Sequence, residues 1–156
     1  RFSGMTVSVC QVRPESRGSV HISSSDASAR PRIRAEYFSA PKDMETVLRG
    51  IRIAREIVQH EPLAKSLVGE VRPGPEALDD TALTHYVRQT AGSIYHPVGT
   101  CRMGVDDEAV VTPGLQVRGL QNLYVIDASI MPRIVGGNTN AATIMIAEKG
   151  ADLIAR

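Results

Sequence analysis

The sequence is poor in the features that assign a protein to a class most quickly. Its 156 residues include only two cysteines, Cys10 and Cys101, too few for a disulfide scaffold or a four-cysteine zinc site. One bridge between them is open in principle, but two separate buried or idle thiols are the favoured reading. Net charge is almost nil, with 18 Lys and Arg against 17 Asp and Glu for a formal +1. That balance removes the electrostatic argument for nucleic acid or an anionic membrane surface. No apolar run approaches the ~20 residues needed to span a bilayer. There is no Gly-x-Gly-x-x-Gly after a strand, no phosphate-binding Lys loop, no zinc-ligand pair and no Gly-x-Ser-x-Gly. A chain that starts Arg1-Phe2 gives no basis for judging a targeting segment, and the cytoplasm is no more than the default compartment.

What is present is a globular composition. Hydrophobic residues make up 42% and charged residues 22%, enough to bury a core at a length typical of one domain. Residues 6–38 carry β patterning. Thr6, Ser8 and Gln11 interleave with Val7, Val9 and Val12, and a turn at 13–18 leads to a second strand over 19–23 that would close a hairpin with the first. Residues 32–37 alternate as a third strand. The period then lengthens. Met44, Val47, Leu48, Ile51, Ala54, Ile57 and Val58 share one helical face over 42–60, with Pro41 suiting the start and Glu61-Pro62 the end. A second helix, capped by Asp79 or Asp80 and stopped by Gly92, buries Leu83, Tyr86, Val87 and Thr90. Residues 93–114 are ordered loop and short strand, 121–127 a compact strand, and 139–155 a third helix with Ile144, Ala147 and Ala151 on one face and Met145, Ile146, Leu153 and Ile154 widening it.

Chemistry is concentrated late in the chain. In Tyr95-His96-Pro97-Val98-Gly99-Thr100-Cys101-Arg102-Met103-Gly104, the proline holds His96 in extended backbone. A neutral imidazole there can accept a proton. Taken alone, a single loop histidine reads as structural, and His21, His60 and His85 receive no role. A second segment ends its strand at Asp127-Ala128 and resumes at Gly136-Gly137-Asn138-Thr139-Asn140 before a helix. A strand end facing a helix N-terminus suits a nucleotide or cofactor. Asn138 serves equally well as an N-cap, and the glycines as a flexible turn.

The ordered combination resembles a known family. Tyr95–Gly104, then Asn122–Ser129, then Gly137–Ala141 with Thr143–Lys149, are similar to the C-terminal signatures of the glucose–methanol–choline oxidoreductases, nearest to the choline dehydrogenase-like alcohol dehydrogenases. Two departures stand out: Thr112 where Asp commonly precedes the proline, and Ala142 where Pro is common.

The resemblance implies an FAD enzyme oxidising a small-molecule alcohol to an aldehyde or ketone. It matches His96 to the histidine facing the flavin and Asn140 to its partner. Asp127 and Ala128 match the strand end at the ribityl–pyrophosphate region, and Asn138 and Thr139 the turn at the pyrimidine edge. It also implies an α+β fold, an antiparallel substrate-domain sheet with flanking helices over 1–121. Residues 122–156 would then be a strand and helix completing an FAD-binding α/β domain whose N-terminal dinucleotide-binding part is missing. On that division Leu123, Val125, Ile144, Met145 and Ile146 are left short of burial. The competing readings are a non-catalytic or orphaned binding fragment, and a hydroxynitrile lyase on the same scaffold.

Overall fold

The computed structural model describes residues 3–155. Among them are a two-stranded antiparallel sheet and three α-helices, an α+β chain as expected. The chain divides into two compact units: it leaves the first after Ser16, returns at Tyr37 and leaves again after Gly92.

The first unit takes in the described residues through Ser16 and Tyr37–Gly92. Helix α1 (Pro41–Val58) opens with proline at its first position, where a missing N–H costs nothing. Helix α2 (Asp80–Thr90) is capped by Asp79, whose carboxylate accepts from the Ala82 amide at 2.8 Å. Met44 and Leu48 of α1 pack with Leu83 and Val87 of α2, each pair four residues apart and so on one face. Thr90 lies exposed rather than buried, and α2 ends on extended backbone at Ala91, one residue before the expected glycine stop. Arg55 ties the following loop down by a fork to Glu70 and bonds to the carbonyls of Gly74 and Ala77.

The expected strand over 6–12 is absent. Its apolar and polar positions are used against α1 instead. A Cβ on Gly50 would stand 2.4 Å from Val9 Cγ1, so the helix must be bare there for the segment to pass. Asp43, in the first turn of α1, is buried. It accepts from the amides of Glu15 and Ser16 at 2.9 and 2.8 Å and from Gln11 Nε2 at 3.3 Å. Side-chain docking on a helix outcompeted the period-two signal.

The second unit takes in Arg17–Glu36 and the described residues from Ser93 onward. Its hairpin pairs β1 (Ser19–His21) with β2 (Arg32–Arg34), Val20 opposite Ile33, so the second predicted strand pairs with the third and not the first. Positive φ at Glu36 (51°) ends the run earlier than the alternation suggested.

The remaining core is Val111, Leu115, Ile130, Met131 and Ile146. Residues 122–126 form no regular strand. Asn122 turns at φ 59°, and the residues after it pair back locally, the Val125 amide donating to the Leu115 carbonyl at 3.1 Å. Helix α3 (Asn140–Ile154) buries Ile146 and Gly150, while the expected face of Ile144, Ala147 and Ala151 is exposed. Gly150 decides this: a Cβ there would stand 2.3 Å from Ile126 Cγ2, so the bare position is where α3 approaches closest. Leu123, Ile144 and Met145 are exposed, Ile146 is buried and Val125 half-buried.

Candidate functional site

His96 is presented by strained local backbone. Tyr95 sits at φ 64°, a left-handed conformation that costs a bulky residue energy, and its amide is held by Ser93 Oγ at 2.9 Å. Pro97 then keeps His96 extended. The loop is next fastened to the turn after Asp127. Gly99, at φ 88°, passes where a Cβ would come 3.2 Å from the Met131 carbonyl oxygen. The amides of Cys101 and Met103 donate to the carbonyls of Ser129 and Ile130 at 3.0 and 2.8 Å. Farther along, Arg102 forks onto Asp106 at 2.9 and 2.6 Å. The hydrogen bonds from Arg102 hold the Asp106 carboxyl down at about 2, below the usual carboxylate range. Both cysteines are free thiols.

The other wall is the start of α3. Thr139 is buried, and its Oγ1 lies 3.0 Å from His96 Nδ1, a contact bridging 43 residues of sequence. Its carbonyl accepts from both the amide and the hydroxyl of Thr143. Asn140 is the first residue of α3 and is exposed, as is Asn138. The structure therefore joins His96 to Thr139 and sets Asn138 and Asn140 on either side of that contact along the chain. Asp127 is exposed, and its Oδ1 accepts from the Ser129 amide at 2.8 Å and from the Ser129 hydroxyl, capping a 3₁₀ turn that begins at Ala128. Among the described residues no hydrogen bond joins Asp127 or Ala128 to His96. The pairing of 101–103 with 129–130 and the close passage of Gly99 past Met131 link their turn to the His96 loop.

A family model described as GMC oxidoreductase matches residues 14–147. The chain belongs to that family. Two curated relatives show how much of a member it represents. An alcohol dehydrogenase [acceptor] from Pseudomonas putida is 48% identical over 153 residues, which are 98% of this chain and 28% of that protein. An oxygen-dependent choline dehydrogenase from Pseudomonas syringae pv. tomato is 45% identical over 97% of this chain and 27% of its own length. The crystal structure of pyridoxine 4-oxidase from Mesorbium loti superposes with a TM-score of 0.84 at 37% identity, covering 90% of this chain and 28% of that one. The chain thus spans just over a quarter of the length of the curated relatives it matches.

Members of this GMC family are FAD-dependent flavoproteins, and the donor set here fits such a group. Thr139 makes no side-chain cap on α3. The first-turn amides therefore keep their hydrogens for an acceptor outside the helix, and the helix dipole adds positive potential there. A flavin's pyrimidine carbonyls are acceptors of that kind. Gly137, just before, has nothing within 4 Å of where a Cβ would stand. Among the described residues Asp127 Oδ2 has no partner, which leaves it able to accept from a ribityl hydroxyl.

Two features escaped sequence reasoning. The Thr139 side chain gave no signal of its own, because a hydroxyl residue before a helix ordinarily serves as its cap. The Arg102–Asp106 fork had an i,i+4 spacing as its only signal, and that spacing is informative on helices, not in loops.

Proposed function

We propose that this chain is the catalytic C-terminal portion of an FAD-dependent oxidoreductase that converts a small-molecule alcohol to an aldehyde or ketone. On this reading residues 1–121 belong to its substrate-binding part, and 122–156 complete an FAD-binding part whose dinucleotide-binding segment lies upstream in a longer protein. The alcohol- and choline-oxidising names of the relatives support the reaction class, and their greater length supports the portion. The observation that carries the reading is the 3.0 Å contact between His96 and Thr139, which anchors an imidazole at the uncapped N-terminus of α3 beside Asn140.

FAD, when bound, supplies the acceptor for the hydride leaving the alcohol carbon. His96 accepts the hydroxyl proton as that hydride departs. Asn140 donates a hydrogen bond to the alkoxide oxygen, where negative charge develops. Asn138 and Thr139 would offer backbone amides to a flavin's pyrimidine edge, and Asp127 and Ala128 would hold the ribityl–pyrophosphate stretch. The dipole of α3 would favour negative charge on a group bound at its N-terminus.

In the full-length protein, adding alcohol without oxygen should bleach the flavin. Losing a positioned base typically costs ~10²–10⁴ in rate, so His96→Ala should slow bleaching at least that far while bound FAD is unchanged. An unaltered rate refutes the assignment. The 156 residues alone should purify colourless and turn yellow only with the upstream segment supplied.

A further inference from the structure

We propose that Thr139 is a positioning residue that fixes His96 as its Nδ1–H tautomer, leaving the Nε2 lone pair for the alcohol proton. The inference rests on the assignment of His96 as proton acceptor. Thr139 opens α3 but does not cap it. An N-cap residue ordinarily has extended backbone, which aims its oxygen at the amides one turn ahead. Thr139 has φ −84° and ψ −11°, a helical conformation, and its hydroxyl goes to the imidazole instead. Its β-branched side chain has few χ1 choices, and at 7% exposure little water competes for the contact.

Among the described residues no other polar group bonds His96, so this hydroxyl is the group here that selects which ring nitrogen carries the proton. A hydroxyl can donate to Nδ1 or accept from it. Only acceptance survives the reaction. If Thr139 donated, Nδ1 would be the bare nitrogen, Nε2 would already carry its proton, and the alcohol would have no base to meet. If Thr139 accepts from Nδ1–H, Nε2 is bare before the step and protonated after it. The same Nδ1–H···Oγ1 bond then persists in the imidazolium. The proton passes from the alcohol oxygen to Nε2 and nothing moves at Nδ1.

The test is made on the full-length holoenzyme. With ¹⁵N-labelled histidine, the His96 ring should show a protonated Nδ1 and a bare Nε2. A protonated Nε2 in the wild-type neutral ring overturns the proposal without any variant having to fold. Thr139→Val keeps the shape and removes the hydroxyl. It should move the ring proton towards Nε2 and slow flavin reduction about 10–100-fold, the range seen when residues orienting a functional histidine are removed at metal sites, with bound FAD unchanged. Thr139→Ser should restore both tautomer and rate. Wild-type tautomer and rate in Thr139→Val overturn the proposal. If His96→Ala is slow and Thr139→Val is not, this inference alone has failed. If His96→Ala itself is fast, the proposed function has failed, and the tautomer spectrum still decides whether Thr139 orders the ring.

Discussion

Asp43 is the point where a single side chain should govern a whole segment. It is 2% exposed, and its carboxylate takes the amides of Glu15 and Ser16 and the Gln11 side chain. Hydrogen bonds to a charged group contribute about 1.5–3 kcal/mol each. The two short backbone bonds would sum to about 3–6 kcal/mol if both amides were stranded. They are not stranded fully, because residues 11–16 can swing out and hydrate. We therefore expect Asp43→Ala to cost about 3 kcal/mol, the low end of that range. Asn keeps one acceptor oxygen but turns an NH₂ towards a donor, so about half that loss is expected from Asp43→Asn. The acid limb gives an independent check. Burial pushes the Asp43 carboxyl up, but the bonds from Ser16, Glu15 and Gln11 outweigh it and hold the group below its ordinary value. A folded-state pKa below the unfolded one gives stability that is complete above the unfolded value, about 3.9, and fades as pH falls through the folded one. Urea unfolding followed at neutral pH and again below about pH 4 reads both effects. Hydrogen exchange at the Glu15 and Ser16 amides localises them. An Asp43→Ala variant within about 0.5 kcal/mol of wild type, the range of ordinary surface changes, would refute the reasoning.

Arg102→Ala should raise the Asp106 carboxyl from about 2 towards the usual carboxylate range. In the wild type the pair therefore holds at neutral pH and weakens only as pH falls from about 4 towards 2, and a carboxyl NMR titration follows it. Gly150→Ala would drive a methyl to 2.3 Å from Ile126 Cγ2, so it should destabilise by about 1–3 kcal/mol as overpacking does. Adding Ile126→Ala should give back part of that loss, and strictly additive thermal shifts would contradict the contact.

The α1 and α2 helices were legible from the chain alone because their evidence is local. Met44, Val47 and Leu48 repeat at the helical period, Pro41 opens one helix, and Asp79 caps the other. The same holds for the ordered motifs around His96, Asp127 and Asn140, whose residues are readable wherever they fold. Contacts between distant positions were not legible. Nothing in the alternation of 6–12 could say that Val9 and Gln11 would dock on Gly50 and Asp43 rather than pair with 19–23. The buried face of α3 turns on Gly150 meeting Ile126, which only packing reveals, since glycine carries no hydropathy signal. The site itself divides the same way. Sequence supplied a loop imidazole before a proline and a helix start after two glycines. The fold alone brought Thr139 Oγ1 to His96 Nδ1 across 43 residues, because side-chain geometry at that separation is set by the core that holds both loops.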